Sequence, residues 1–158
     1  TIYGKSKLAG ERFVQNLCTR HVIVRSSWVY GIGRDFVNTI LEAANNPSVT
    51  SMEVAENEFA SPTSATELAK VIEQLIDNDC LGIYHAVCGG FCSRFEFAQA
   101  ILKAIHAEDQ LTLKPTSNSE DTNYSVLDNM MLRLEDFAQP VSWLQALKDY
   151  ITTTGGND

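Results

Sequence analysis

Basic side chains are scarce in this sequence of 158 residues, and long apolar runs are missing from it. Lys and Arg total 12 against 20 Asp and Glu, so the net charge is −8. Domains that bind nucleic acids carry a basic surface, and we therefore expect no nucleic acid as a partner. No apolar run approaches the roughly 20 residues that a membrane-spanning helix needs, so we expect no membrane as a partner either.

Cysteine is also sparse, and its spacing does not match a metal motif. Cys88 and Cys92 have three residues between them, unlike the two-residue spacing of zinc ribbons and thioredoxin-like sites. His85 adds one ligand nearby, but a structural zinc normally needs four. Cys18 and Cys80 stand alone. We expect no metal site, and we interpret all the cysteines as reduced thiols of a cytoplasmic protein.

A glycine-rich dinucleotide-binding turn is missing as well. Gly31-Ile32-Gly33 follows a predicted strand but lacks the third glycine of G-x-G-x-x-G, the turn that receives the cofactor pyrophosphate in a doubly wound fold. The sequence opens on Thr1, with neither a signal peptide nor an initiator Met. We therefore expect the chain to begin partway through a longer gene product whose N-terminal cofactor-binding half is absent, and we expect residues 1–158 alone to be inactive.

The apolar residues that are present repeat with periods that alternate between about 3.6 and 2, which is typical of an α/β protein. Asp35, Ser64 and Ser93 each precede an apolar helical pattern and are predicted N-caps, the last two with a glutamate three residues later as in a capping box. The other predicted helices cover residues 5–18, 129–137 and 142–151. The predicted strands cover residues 21–25, 49–55, 82–87 and 111–114. Polar composition predicts an exposed loop over 116–123 and a frayed tail over 152–158.

Tyr3 and Lys7 form a Y-x-x-x-K pair whose side chains project from the same face of the predicted first helix. A phenol has a pKa of about 10, and a nearby ammonium stabilises the phenolate and makes the phenol a better acid. Such a tyrosine can protonate a carbonyl oxygen while hydride reaches the carbon, and the lysine can hydrogen-bond the ribose of a nicotinamide cofactor. Spacing alone is weak evidence, and a surface helix that carries both residues by chance is the alternative.

The residues around this pair resemble a known family. Tyr3–Glu11 is similar to the Y-G-x-x-K-x-x-G-E of the catalytic helix in dTDP-4-dehydrorhamnose reductases, which are extended short-chain dehydrogenases/reductases. Further segments match motifs of that family in the same order, and the resemblance extends to about Tyr150. They are Arg25–Gly31 (R-T-S-W-V-Y-G), Ser61–Thr63 (G-x-P-T), Glu67–Ala69 (D-L-A), Gly82–His85 (G-x-Y-H) and Tyr124–Asn129 (Y-S-x-L-D).

The resemblance implies an NAD(P)-dependent oxidoreductase of nucleotide-sugar and cell-surface polysaccharide biosynthesis. The reaction would reduce the 4-keto group of dTDP-4-dehydro-L-rhamnose to dTDP-L-rhamnose with NADPH or NADH. Tyr3 would donate the proton, Lys7 would tune it, and both would contact the cofactor. Trp28 would contact the deoxysugar, with packing in a loop or core as the alternative role. The implied partner is a nucleotide-sugar substrate, with a homo-oligomer as a further option and a cytoplasmic location.

For the fold, the resemblance implies the C-terminal part of a Rossmann-like doubly wound parallel sheet plus a small α/β substrate-binding lobe. Residues 1–48 and about 64–88 would form the Rossmann part, about 49–63 and 89–151 the lobe, and 152–158 a tail. We expect strands 21–25 and 83–87 to be neighbours in one parallel sheet. Strands 49–55 and 111–114 should lie apart from it.

Two other functions stay open at this point. One is a non-catalytic reductase-like regulatory or binding subunit, and the other is a related nucleotide-sugar epimerase or dehydratase, which would use the same Tyr/Lys pair. The segment that contains Trp28 favours the reductase. Departures from the family lie at Asn57–Ala60, where the family has D-Q-x-G, and at Thr122-Asn123, where it often has Arg-Pro. Arg25 at the end of a strand could face the nucleotide or pair with a carboxylate, and we favour the pairing. We expect His85 to be a core residue.

Overall fold

The computed structural model describes residues 1–117 and 122–154. Part of the predicted loop (118–121) and the end of the predicted tail (155–158) lie outside the described residues. None of the described helices is long and apolar enough to cross a bilayer. The helices are α1 Ile2–Leu17, α2 Phe36–Ala44, α3 Ala65–Asp77, α4 Arg94–Ala104, α5 Met130–Leu134 and α6 Trp143–Thr154. The strands are β1 Val22–Arg25, β2 Val29–Tyr30, β3 Ser51–Ala55, β4 Glu58–Ala60, β5 Thr63–Ser64, β6 Gly82–His85, β7 Cys92–Ser93, β8 Thr112–Thr116 and β9 Asn123–Tyr124.

Parallel strand pairs confirm the α/β class and the predicted neighbours. Strand β1 pairs with β6 in parallel, from Val22 opposite Gly82 to Arg25 opposite His85. Strands β3 and β8 pair in parallel with each other, apart from β1 and β6, as predicted. Strand β2 pairs with β5 in parallel, and β4 lies between antiparallel β7 and parallel β9.

The predicted N-caps of α2, α3 and α4 are confirmed, and that of α4 is a complete capping box. The Ser93 hydroxyl accepts from the Glu96 N–H at 3.0 Å, and the Glu96 carboxylate accepts from the Ser93 N–H at 2.7 Å. Two backbone donors that a helix start leaves unpaired are therefore satisfied. Asp35 and Ser64 cap α2 and α3 through their side-chain oxygens.

Only one of the two hydrogen bonds of the predicted capping box of α3 forms. The Ser64 hydroxyl accepts from the Glu67 N–H at 3.2 Å, as expected. The buried Glu67 carboxylate instead accepts from the Lys70 ammonium and, at 3.1 Å, from the Val141 N–H. A tertiary contact with the segment before α6 thus replaces the local one, because a buried carboxylate is more stable with a cation and a backbone donor beside it.

Several predicted boundaries were wrong by a few residues. Helix α1 begins at Ile2 instead of residue 5, because the Thr1 hydroxyl caps it by accepting from the Gly4 N–H at 3.0 Å. Helix α5 is shorter than predicted, and α6 continues to Thr154, into the predicted tail. The hydroxyls of Thr152, Thr153 and Thr154 each donate to the carbonyl four residues earlier, so these side chains have their donors satisfied within the helix.

Strand β8 also extends past its predicted end, through Pro115 to Thr116. The Thr112 N–H donates to the Thr50 carbonyl at 3.1 Å, and the Thr116 carbonyl accepts from the Glu56 N–H at 2.9 Å. The backbone N–H and C=O groups of the even-numbered residues of β8 therefore point toward β3, and the backbone nitrogen of Pro115 points away from it. Proline has no N–H, and at this outward position the ladder with β3 does not need one.

Two groups of buried apolar side chains form the core. The larger group joins α2, β3, α4 and α6 around Phe97, which is 1% exposed. The smaller group packs α3 and α5 against the β1–β6 pair, around Leu75 and Tyr84. The division into a Rossmann part and a lobe stays a prediction. The packing of α2 on α4 means that these two parts would share a core.

Helix α1 joins the rest of the described chain through one ion pair. The Arg25 guanidinium, at the end of β1, donates to both oxygens of Glu11 at 2.8 and 2.6 Å, which confirms the predicted pairing of Arg25. Hydrogen bonding to the cation lowers the pKa of Glu11, and the same bond raises the pKa of Arg25. No residue of α1 is fully buried, and this pair links the helix to the end of β1.

Replacement of Phe97 by alanine should remove the centre of the larger core. We expect Phe97→Ala to lower the free energy of unfolding by about 3–5 kcal/mol, because a buried aromatic ring is lost and a cavity remains. Denaturant unfolding of the chain measures this. Phe13→Ala is the control, since Phe13 is 67% exposed and its loss should change the same free energy by less than about 0.5 kcal/mol. A similar effect of both changes would contradict the assignment of the core.

Replacement of Glu11 by glutamine should change stability in a pH-dependent way. Because the folded-state pKa of Glu11 is lowered, the pair stabilises the fold above the unfolded pKa of about 4.3, and the contribution disappears as pH falls through the folded value. We expect Glu11→Gln to cost about 0.5–1 kcal/mol at neutral pH and less at an acid pH below the unfolded value of about 4.3. Urea unfolding at both pH values measures this, with exposed Glu42→Gln as the control. An equal loss at both pH values would show that the charge is not responsible.

Candidate active site

Tyr3 and Lys7 lie together in the first turns of α1, as predicted. The Lys7 ammonium is 5.5 Å from the centroid of the Tyr3 ring, so the cation lies beside the phenol. Both side chains are exposed, and Tyr3 is 72% exposed. Among the described residues, none of the ion pairs includes Lys7, so its ammonium is not neutralised by a carboxylate there. The pair is open to a ligand, and its catalytic and cofactor-binding roles stay predictions.

Trp28 lies between β1 and β2 in a strained backbone conformation. Its φ of 41° is in the left-handed region, where a bulky residue is an outlier that costs of the order of 1–3 kcal/mol. The Trp28 carbonyl accepts from the Thr63 N–H at 3.3 Å, just before β2 pairs with β5. Strain of this kind persists where the surroundings enforce it, and it is concentrated at functional sites. The conformation is an indication of function independent of any motif.

The indole of Trp28 is half-buried and packs against two side chains of α4. The Phe97 ring is nearly parallel to it, with centroids 6.5 Å apart. The Arg94 guanidinium lies over the indole, with its central carbon 3.6 Å from the ring centroid. The packing role considered for Trp28 therefore exists, and the indole keeps some exposed surface beside it. Among the described residues, no hydrogen bond or ring contact joins Trp28 to Tyr3 or Lys7.

Arg94 is the residue at this site that the sequence did not reveal. It follows the Ser93 cap as the first residue of α4, a position that predicts only exposure. Its guanidinium is also 4.7 Å from the Phe36 ring centroid, so two aromatic rings face it. Burial lowers the pKa of Arg94, and the nearby charge of Glu58 opposes that change. No spacing in the sequence links Arg94 to Trp28, which lies 66 positions earlier.

The segment Ser61–Thr63, which matches a motif of the family, is hydrogen-bonded to the backbone of Trp28. Ser61, Pro62 and Thr63 are all buried. The Thr63 hydroxyl accepts from the Cys88 N–H at 3.2 Å and donates to the Ser61 carbonyl at 3.1 Å. The segment is therefore an internal support that joins β5 to the chain after β6, and it does not offer its side chains to a ligand.

The last matched segment has a similar supporting role. The buried Asn129 amide donates to the Val87 carbonyl at 2.8 Å and accepts from the Val87 N–H at 3.0 Å. These two bonds replace the strand partner that the chain lacks just beyond β6. His85, in β6, contacts the Asp128 carbonyl at 3.1 Å and is half-buried, so it too connects this segment to the sheet.

The cysteines do not form a metal site in the part of the chain that the structure describes. All four are free, and no group of three His, Cys, Asp or Glu side chains there is placed to hold a metal. Cys88 and Cys92 are buried, and burial raises the pKa of Cys88 to about 11 and that of Cys92 to about 12. Both thiols therefore stay protonated near neutral pH and are poor ligands.

A cleft of about 840 Å³ lies elsewhere on the molecule. It runs along the outer face of α3, between Ile72, Ile76 and the loop residue Ile32. Neither Tyr3, Lys7 nor Trp28 lines it. The predicted site residues are therefore not in this cleft.

Comparison with known proteins gives one consistent result. The family described as RmlD substrate binding domain matches residues 1–155. The spore coat polysaccharide biosynthesis protein SpsK of Bacillus subtilis is 34% identical over 156 residues, which cover 96% of this chain and 54% of that protein. A dTDP-4-dehydrorhamnose reductase of Aggregatibacter actinomycetemcomitans is 31% identical, over 94% of this chain and 55% of that protein.

A solved structure agrees with these relatives. The dTDP-4-dehydrorhamnose reductase of Bacillus anthracis in complex with NADP is 34% identical, with a TM-score of 0.90 over 98% of this chain and 55% of that one. The chain thus spans about half the length of the relatives that it matches. Because the family match covers nearly all of its residues, the chain belongs to the RmlD substrate binding domain family.

Proposed function

We propose that the protein carrying this chain reduces the 4-keto group of dTDP-4-dehydrorhamnose with NADPH or NADH. The observation that carries the proposal is the Tyr3–Lys7 pair, with the ammonium 5.5 Å from the phenol ring and both side chains accessible. The names of the relatives support the reductase reaction over an epimerase or dehydratase. The NADP in the Bacillus anthracis structure supports a nicotinamide cofactor.

The residues present fit one end of such a cofactor. The Lys7 ammonium has three donors and no carboxylate partner among the described residues, so it can bind ribose hydroxyls. When bound, the reduced nicotinamide supplies a hydride. The Tyr3 hydroxyl then protonates the C4 oxygen of the sugar, and the Lys7 cation stabilises the phenolate that remains.

Trp28 is proposed to bind the deoxysugar through its remaining exposed surface. A rigid indole offers an apolar wall to a sugar face and an N–H donor to a hydroxyl. The enforced φ of 41° supports a functional constraint at this position. The nucleotide sugar as the partner, the division into a Rossmann part and a lobe, and a cytoplasmic location belong to the same proposal. The free cysteines are in keeping with a reducing compartment.

Replacement of Tyr3 by phenylalanine tests the proton donor. In the protein that carries this chain, Tyr3→Phe should lower kcat by about 10²–10⁴-fold with little change in KM, because the hydroxyl acts in the transition state. NADPH oxidation with the 4-keto nucleotide sugar measures this. Tyr124→Phe, which removes the hydroxyl of another exposed tyrosine, is the control and should leave turnover unchanged. Normal turnover by the Tyr3 variant would refute the assigned role.

Replacement of Trp28 by alanine tests the sugar contact. We expect KM for the nucleotide sugar to rise by about 10-fold or more, with a smaller effect on kcat, because aromatic contact area is lost in both the ground and transition states. Trp28→Phe should recover part of the affinity. Trp143→Phe alters another ring that contacts Phe97 and is the control for changes in packing. An unchanged KM in Trp28→Ala would leave Trp28 as a packing residue only.

A further inference from the structure

Arg94 carries a positive charge that no described acidic side chain pairs with. Ion pairs among residues 1–117 and 122–154 join Arg20 with Asp79, Arg25 with Glu11, Lys70 with Glu67 and Arg133 with Asp128, and none includes Arg94. Its guanidinium also donates no hydrogen bond to another described side chain or backbone carbonyl. A partly desolvated cation without an anion is costly, and proteins usually pair it.

The rings around Arg94 satisfy only part of the guanidinium. The central carbon of the guanidinium lies 3.6 Å from the centroid of the Trp28 ring and 4.7 Å from that of the Phe36 ring. Cation–π contacts of this kind stabilise the charge. They do not use the N–H donors in hydrogen bonds, and none of the described side chains or backbone carbonyls accepts from these donors. A planar fork of donors matches two oxygens of a phosphate group.

Other charges near Arg94 do not replace a ligand. Glu58 and Cys92 act on it through space and favour its charged form, and none of the described ion pairs joins either of them to Arg94. The Glu96 carboxylate, two residues along α4, is already bound to the Ser93 N–H in the capping box. In a chain with a net charge of −8, a cation fixed against two rings is a selective place for an anion.

We infer that Arg94 binds the diphosphate of the nucleotide sugar while the sugar lies against Trp28. The inference rests on the proposed function, since the shared contact with Trp28 places the cation beside the proposed sugar site. The same side chain would set specificity in two ways. It would require an anionic group on the substrate, and it would hold the indole in one orientation.

Binding of dTDP to the protein that carries this chain tests this inference. Calorimetric titration with dTDP and with uncharged thymidine should show tighter binding of dTDP to the wild type. Arg94→Gln should weaken dTDP binding by about 10–100-fold, the usual effect of losing hydrogen bonds to a charged group, and leave thymidine binding unchanged. Arg94→Lys keeps the charge but not the fork, and it should recover part of the loss. Arg20→Gln removes the same charge from an exposed pair and is the control.

Several results would overturn the inference. They are equal binding of dTDP and thymidine to the wild type, dTDP affinity in Arg94→Gln within about twofold of the wild type, and an equal loss in Arg20→Gln. An equal loss in the lysine and glutamine variants, with a shifted Trp28 emission in a Trp143→Phe background, would show that Arg94 only positions the ring. The reductase assay fails or succeeds independently, so loss of the proposed function would not be mistaken for loss of the anion site.

Discussion

The ring of Phe97 is the place where the larger core meets the surroundings of Trp28. Four rings contact it, those of Trp28, Tyr30, Phe36 and Trp143, with centroids 5.7 to 6.5 Å away. Phe97 is itself fixed, because it is fully buried on α4 and the capping box at Ser93 defines where α4 starts. The indole therefore has its position set by contact with the larger core. A site built on such packing is pre-organised before a ligand arrives.

The part of the candidate site formed by Tyr3 and Lys7 is held in place by different interactions. Tyr3 and Lys7 lie on α1, which buries no residue and meets the sheet through the Glu11–Arg25 pair. Among the described residues, the position of α1 therefore depends on a charged pair, whereas that of Trp28 depends on ring packing around Phe97. The proposed proton donor and the proposed sugar contact are thus held by two different kinds of interaction.

The sequence was sufficient for features that depend on neighbours in the chain. Apolar periods placed the strands of the β1–β6 pair, and the residues Asp35, Ser64 and Ser93 marked three helix starts. The sequence was insufficient where a residue far away along the chain determines which contacts a side chain makes. The Glu67 carboxylate accepts from the Val141 N–H and not from the N–H of its predicted cap, Ser64. Arg94 lies over the ring of Trp28, which is 66 positions earlier in the sequence. The strained φ of Trp28 also had no local signal in the sequence.

Pro115 affects how the molecule behaves beside other molecules. In the described chain, β8 pairs only with β3 and forms the border of its small sheet. A foreign strand that approached this border would find one donor missing at Pro115, with a rigid ring in its place. Natural proteins use proline in this way to prevent sheets from joining edge to edge. The residue at which the predicted strand ended too early therefore leaves this border of the folded chain less suited to pairing with a foreign strand.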